Sequence, residues 1–156
     1  LWSEQILEEL SESLVRAYPH LDPQMLYSRI SFMRRGFPQA VIEGWEPLSD
    51  DITSGLPDPG DAHAIAAALH AGAPLIVTNN LRDFPGEILR AFGITAVSAD
   101  VFLVMLWRDD PVGGLAALRT QSARMRNPPL SVQQILERLA SGLPNFSRLA
   151  SEGLIA

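Results

Sequence analysis

The stretch Leu56–Phe84, LPDPGDAHAIAAALHAGAPLIVTNNLRDF, decides the fold of this 156-residue chain. Acidic residues surround a Pro-Gly pair at its start, and an alanine-rich segment follows. Gly72 ends that segment, so we expect a helix over 61–71. The apolar run PLIVT then predicts a buried strand of the parallel type. Because helices and short strands alternate on both sides of this stretch, the sequence predicts an α/β fold with a short parallel sheet.

The composition indicates a globular protein of one domain, since 47% of the residues are hydrophobic. The chain has no cysteine, which excludes disulfides and thiolate metal sites and fits a cytoplasmic location. The longest apolar run, VFLVMLW at 101–107, is too short to span a bilayer, so we expect no membrane partner. A net charge of −6 argues against a nucleic-acid partner, yet all 12 basic residues are arginine, the residue best suited to phosphate contacts.

Other elements are predicted from capping residues and apolar patterns. Ser3 caps a first helix that ends before Pro19, and Asp22 with Pro23 starts a second helix that runs to Arg35. The segment AVIEGW predicts a short strand, and the polar segment EPLSDDITSGLPDPG after it predicts a loop. Beyond the turn FPG, EILRAFG predicts a short helix and ITAVS a last small strand.

The pattern of alternating helices and strands ends at residue 99. Beyond it only helices are predicted, over 99–108, 112–126 and 131–141. We therefore predict two parts, an α/β domain over 1–98 and a helical extension over 99–156 that packs on it. The apolar positions that would make this packing recur at helical spacing and are Leu115, Leu118, Leu136, Leu139 and Leu143.

The acids of the opening stretch have two interpretations. Asp58 and Asp61 suit the first turn of a helix, as an N-cap and an N3 residue, so capping alone explains both. However, Thr78, Asn80 and Asp83 follow the end of a predicted parallel strand, and helix starts share that rim of the sheet. Oxygen donors gathered there are the ligands that Mg²⁺ or Mn²⁺ requires, so a metal site is the second interpretation.

Glu9 is the glutamate of the first helix that is best placed to reach such a site. At ~100° per residue it lies beside the apolar stripe of the helix, which contains Ile6, Leu7, Leu10 and Leu14. The other glutamates near it point to solvent. The alternative is an ordinary surface glutamate whose stem lies on apolar neighbours.

Three segments in this order, WSEQILEEL, DPGDAHAIAAAL and LIVTNNLRDF, resemble the PIN domain, the nuclease fold of the VapC-type toxins. The resemblance covers about Leu1 to Ser98, and the tail resembles the helical extension of one branch of these toxins. It implies a three-layer α/β/α fold and a metal-dependent endoribonuclease that cleaves RNA phosphodiester bonds with Mg²⁺ or Mn²⁺. It also implies a bacterial toxin–antitoxin pair, with RNA as substrate, a cognate antitoxin as partner and a homodimer as a further assembly.

Catalytic and metal-binding positions are carried over from this resemblance by position. The helix glutamate is Glu9 and the central aspartate is Asp61. The last acidic position falls at Asn80 or Asp83, and we favour Asp83, with Asn80 as a polar neighbour.

Supporting roles follow from the same resemblance. Thr78 would hold a metal-bound water and Asp58 would orient the ligands. Arg82 lies inside the site loop and is the best candidate for a substrate-phosphate contact. No histidine nucleophile is required, and His63 and His70 are interpreted as surface or helix-end residues.

The family's first metal-binding aspartate follows an N-terminal strand that, with a first helix, precedes the glutamate helix, and the sequence has no such segment before Leu1. We expect the natural protein to contain it, and without it we expect weak metal binding and little nuclease activity. The alternative function is a catalytically incompetent PIN-like module that binds a protein partner or RNA. A third, a Mg²⁺ hydrolase with an aspartate nucleophile, would require an Asp-x-Asp after its first strand, which is absent.

Overall fold

The structure, a computed structural model, describes residues 1–52 and 56–154. Helices dominate it and short strands alternate with them, as predicted for the α/β class. The helices are α1 Glu4–Ala17, α2 Pro23–Gly36, α3 Glu46–Ile52, α4 Ala62–His70, α5 Gly86–Ala91, α6 Ala99–Asp109, α7 Pro111–Arg124, α8 Val132–Leu139 and α9 Pro144–Gly153. The strands are β1 Trp2–Ser3, β2 Val41–Ile42, β3 Leu75–Val77 and β4 Thr95–Val97. Single 3-10 turns cover Pro38–Ala40, Pro59–Asp61 and Leu81–Asp83.

The strands of the described residues pair as β1 with β2 and β3 with β4. The first pair is parallel, with Trp2 opposite Val41. In the second pair, Thr95 N donates to Pro74 O and Thr78 N donates to Val97 O. The bonded positions advance in the same direction along both strands, so this pair is parallel as well.

The predicted helix starts in the first third of the chain are confirmed. Ser3 Oγ accepts a hydrogen bond from Ile6 N at 3.2 Å and begins α1. Asp22 Oδ1 accepts from Gln24 N at 2.9 Å and begins α2. Along α1, Leu7 is buried and forms the centre of the predicted apolar stripe.

The chain divides into two compact units. The N-terminal unit contains Leu1–Ile76 and Leu81–Ala96, and the C-terminal unit contains Val77–Asn80 and Val97–Ala156. No helix among the described residues is long and apolar enough to cross a membrane.

Helix α4 is the centre of the N-terminal core. Burial of apolar surface is the main stabilising term in such a core, and α4 supplies residues on nearly every side: Ala62, Ile65, Ala66, Ala67 and Ala68 are buried. They pack with buried side chains from in and around α3 and α5, which include Trp45, Ile52, Leu56, Phe84, Leu89 and Ile94. Because α4 is surrounded, it positions the residues at its first turn firmly.

The C-terminal unit has a core of its own around Trp107. The indole packs edge-on against Phe146, with ring centroids 6.0 Å apart. Of the predicted apolar positions, Leu118 and Leu136 are buried in this core. The other three, Leu115, Leu139 and Leu143, are partly buried against it. Their predicted packing on the 1–98 domain stays a prediction.

Three sequence predictions require correction. The predicted loop over 46–60 is wrong at its start, because Glu46–Ile52 forms α3, with an acid in the first turn and a proline where its missing N–H is tolerated. Residues 53–55 of that loop lie outside the described residues. Strand β3 is only partly buried, with Val77 44% exposed. Helix α9, which follows the segment GLP, is not predicted from the sequence.

Candidate functional site

The acids Asp58 and Asp61 bracket the 3-10 turn that leads into α4. Asp58 Oδ1 accepts a hydrogen bond from Gly60 N at 2.8 Å, so Asp58 caps this turn. Asp61 occupies the N-cap position of α4, yet its side chain makes no capping hydrogen bond. The capping interpretation therefore holds for Asp58 and leaves the carboxylate of Asp61 unexplained.

The electrostatic environment of Asp61 is negative. Burial raises the pKa of the Asp61 carboxyl above its usual value, and the neighbouring Asp58 and Asp83 carboxylates raise it further. Glu9 adds a smaller effect in the same direction, while His63 acts in the opposite direction. Carboxylates from α1, the 3-10 turn before α4 and the loop after β3 thus act on one acid. Asp83 and Glu9 are therefore within electrostatic reach of Asp61, and the role of these three acids as ligands stays a prediction.

Asp83 lies on the 3-10 turn after β3, and its side chain is 19% exposed. Arg82 Nε is 3.9 Å from Asp83 Oδ1, at the outer limit of an ion pair, and the arginine side chain is 91% exposed. Such a contact holds a guanidinium loosely, because water screens exposed pairs. We call Glu9, Asp58, Asp61 and Asp83 the acidic cluster. Arg82 therefore remains accessible to an anionic ligand beside this cluster.

Glu9 and His63 form a contact between α1 and α4. His63 Nε2 lies 3.1 Å from Glu9 Oε1, and Gln5 Nε2 donates a hydrogen bond to the same oxygen at 3.2 Å. The imidazole packs against the indole of Trp45, with ring centroids 5.9 Å apart. Because this contact joins two elements, α1 and the start of α4 are held together at the cluster.

The interpretation of His63 as a surface or helix-end residue is wrong, since only 4% of it is exposed. The alanine-rich sequence of α4 has no clear polar face, so nothing in the pattern marks its first turn as buried. The spacing of His63 two residues after Asp61 is the one signal available in the sequence. For His70 the prediction is confirmed, because it is exposed at the end of α4.

Thr78 and Asn80 belong to the C-terminal unit and form a local turn. Thr78 Oγ1 accepts a hydrogen bond from Asn80 N at 3.1 Å. Next to them, Asn79 Oδ1 accepts from Ala99 N at 3.4 Å, at the start of α6. The hydroxyl of Thr78 thus has a structural role in this turn, and its role towards a metal-bound water stays a prediction.

Carboxylates match the oxygen ligands that Mg²⁺ and Mn²⁺ prefer, and Glu9, Asp61 and Asp83 supply them. A cation near Asp61 would counter the burial and the neighbouring negative charges that raise its pKa. Within residues 1–52 and 56–154, however, no three histidine, aspartate or glutamate side chains are grouped closely enough to hold a metal ion. The donor chemistry therefore fits a divalent cation, whereas the three side chains are not assembled as ligands.

A separate groove of about 510 Å³ lies within the C-terminal unit. Its walls are mostly apolar and include Trp107, Leu118 and Phe146, with Asp109 and Asp110 at its rim. Asp110 Oδ1 accepts a hydrogen bond from Gly113 N at 2.8 Å and caps α7. No residue of the acidic cluster lines this groove, so the groove is not part of the candidate metal site.

Comparison with known proteins adds an independent observation. Residues 99–152 match the family described as VapC50 C-terminal domain. Over 90 residues, the chain is 30% identical to a protein described as putative ribonuclease VapC50 from Mycobacterium tuberculosis (strain ATCC 25618 / H37Rv). The two matches support a relationship to the VapC-type family.

The extent of these matches is partial. The alignment covers 58% of this chain and 53% of the relative, so the chain spans about half the length of the curated relative it matches. The C-terminal match begins at residue 99, where the sequence predicts the helical extension to begin. No solved structure matches the chain.

Proposed function

We propose that this chain is the catalytic part of a metal-dependent endoribonuclease, the toxin of a toxin–antitoxin pair with a PIN-like three-layer α/β/α fold. The observation that carries the proposal is the placement of Asp61, which stands at the N-cap of α4 without making a capping hydrogen bond. Burial and the carboxylates of Asp58, Asp83 and Glu9 raise its pKa, which agrees with this placement. The similarity to a protein described as a putative ribonuclease supports the same reaction class.

Crowded carboxylates are unfavourable for folding unless a function requires them. Like charges a few ångströms apart raise each other's pKa, and natural sequences avoid such repulsion where an ordinary polar residue would serve. Asp61 is placed among three other acids and does not cap its helix. A bound divalent cation would offset this cost.

Each residue has a distinct role in this proposal. Glu9, Asp61 and Asp83 would hold Mg²⁺ or Mn²⁺, which supplies charge for the phosphate oxygens and lowers the pKa of an attacking water. Arg82 would contact the phosphate of the RNA backbone, because its guanidinium is exposed beside Asp83. Asp58 fixes the turn that carries Asp61.

Partners follow from the proposed class. RNA is the substrate, and a cognate antitoxin protein would cover the acidic cluster and block it in the bacterial cytoplasm. A homodimer is a further assembly that we propose on the same basis. The net charge of −6 requires that contacts to RNA be local, through exposed arginines such as Arg82.

RNA cleavage by the full-length natural protein in Mn²⁺ tests the proposal. We expect Asp61→Asn to reduce kcat by at least about 100-fold, because a carboxylate that holds the cation is lost. Asp109→Asn is the matched control, since Asp109 is an exposed aspartate at the end of α6 in the C-terminal unit. Equal cleavage by Asp61→Asn and the control would refute the proposed function.

A second function is favoured by one observation, which is that the described acids are not grouped closely enough to hold a metal ion. In that case the chain is a catalytically incompetent PIN-like module that binds RNA or a protein partner. Filter binding of labelled RNA separates the two functions. RNA binding that occurs without cleavage in Mn²⁺ and that Asp61→Asn leaves unchanged would show that the chain is a binding module.

A further inference from the structure

We propose that His63 is a positioning residue that holds the carboxylate of Glu9 at the acidic cluster; this inference rests on the proposed function. The side chains of Glu9 and His63 differ in conformational freedom. Glu9 is a long side chain on α1 with 53% of its surface exposed, and such a side chain adopts many rotamers in water. His63 is 4% exposed and lies in the first turn of α4.

The imidazole of His63 is fixed from several directions. Its ring packs on Trp45 with 5.9 Å between centroids and an interplanar angle of 56°. The backbone around it is helical, and the neighbouring Ala62 and Ile65 are buried. A ring held in this way presents Nε2 at one place, 3.1 Å from Glu9 Oε1. The contact therefore restricts the mobile glutamate and not the histidine.

Nδ1 of His63 shows that the ring is not a space-filling core residue. This nitrogen is buried and has no hydrogen-bond partner among the described residues. A neutral imidazole has one N–H and one acceptor nitrogen, and a carboxylate can only accept, so the proton belongs on Nε2 and the lone pair on Nδ1. A buried acceptor without a partner is unfavourable. An apolar side chain would avoid that penalty in this core, so the histidine is explained by what Nε2 contacts.

The position of the contact links it to the site. His63 follows Asp61, the N-cap residue of α4, by two residues, and its Nε2 lies 3.1 Å from Glu9 Oε1. The side chain that restrains Glu9 thus stands on the element that carries Asp61. In metal sites, residues that contact a ligand but not the metal fix the orientation of that ligand. Losing such a residue weakens metal binding by about 10–100-fold.

The test compares His63→Leu with His63→Gln. Leucine fills the space without an N–H, whereas glutamine places an amide N–H near Glu9. We expect His63→Leu to weaken Mn²⁺ binding, measured by calorimetric titration, by about 10–100-fold, with an unchanged or higher thermal midpoint. We expect His63→Gln to recover part of the affinity. His70→Leu is the matched control, because His70 is exposed on the same helix.

Outcomes of this test separate the inference from the proposed function. If wild type binds Mn²⁺ and cleaves RNA and His63→Leu does both equally well, His63 has no positioning role and the proposed function stands. If His63→Leu and His63→Gln lose affinity together with thermal stability, the histidine is structural and the inference is wrong. If wild type neither binds Mn²⁺ nor cleaves RNA, the proposed function fails and the inference with it.

Discussion

Two aspartates near helix starts, Asp61 in the N-terminal unit and Asp100 in the C-terminal unit, have opposite electrostatic environments. Asp100 accepts hydrogen bonds from Phe146 N at 2.8 Å, from Asn145 Nδ2 at 2.7 Å and from Asn145 N at 3.2 Å. Burial alone would raise the pKa of Asp100, but these hydrogen bonds outweigh that effect and hold the pKa below its usual value. Asp61 has a raised pKa and makes no capping hydrogen bond.

The comparison distinguishes an acid whose charged form the fold stabilises from one whose charged form the fold disfavours. Asp100 satisfies backbone N–H groups at the start of α9 and joins that helix to α6. Its charge is compensated by the protein itself. For Asp61, burial and the neighbouring carboxylates raise the pKa, while His63 acts in the opposite direction. The predictions below test this distinction, from the largest expected effect on stability to the smallest.

Asp100→Ala should cause the largest loss of stability. The change leaves the N–H groups of Phe146 and Asn145 without their acceptor at a buried position, and unsatisfied buried donors are strongly unfavourable. We expect the thermal midpoint at pH 7 to fall by about 5 °C or more, by calorimetry. Asp109→Ala, an exposed aspartate on the same helix, is the control. A midpoint equal to that of the control would show that Asp100 is not structural.

Gly114→Ala should also destabilise the C-terminal unit. A Cβ at this position would lie 2.8 Å from Trp107 Cε3. Gly153 also approaches this indole closely, since a Cβ there would lie 2.9 Å from Cζ2. Overpacking of this kind costs about 1–3 kcal/mol, and denaturant unfolding measures it. Gly142→Ala, where a Cβ meets nothing within 4 Å, should change stability far less; similar losses for both would contradict the close packing on Trp107.

The contribution of Asp100 should depend on pH in a definite direction. Because its folded-state pKa is lower than its unfolded value, the stabilisation is present above the unfolded pKa and is lost as pH falls through the folded pKa. We expect the difference in unfolding free energy between wild type and Asp100→Asn to be constant above about pH 5 and to shrink below about pH 4. A difference that is the same at pH 7 and pH 2.5 would exclude this account.

Asp61→Asn should have the smallest effect on stability, and it should stabilise the protein where the preceding changes destabilise it. A raised folded-state pKa means that full stability is present below the unfolded pKa and is lost as pH rises through the folded pKa. Replacing the acid removes the repulsion, so we expect the thermal midpoint at pH 7 to rise by about 2 °C. The gain should vanish near pH 3, where the carboxyl is neutral. A lower midpoint at pH 7 would mean that Asp61 stabilises the fold.

Much of the fold could be predicted because its signals are local. Ser3 and Asp22 cap their helices through atoms two or three residues away, and Gly72, with φ of +62°, ends the segment of α4 as predicted. The sequence also placed Asp61 and Asp83 at one rim of the sheet, and their electrostatic effect on each other agrees with that placement. Metal binding by these acids remains a prediction.

The rest depends on contacts between distant parts of the chain. The burial of His63 depends on α1 and Trp45, which lie far away in sequence. Strand β1 exists because Trp2 pairs with Val41, and its two residues carry no strand pattern of their own. Helix α9 begins at Pro144, and Asp100, more than forty residues earlier, accepts from its first N–H groups. No local pattern encodes such partners.

Calorimetric titration of Mn²⁺ into the full-length natural protein and into its Asp61→Asn variant tests the central claim most directly. The claim is that the acids around Asp61, which repel one another in the free protein, together bind a divalent cation. We expect saturable binding to wild type and to the control Asp109→Asn, and a loss of at least about 10-fold in affinity for Asp61→Asn. Binding of equal affinity to wild type and Asp61→Asn, or no binding to wild type, would contradict the claim.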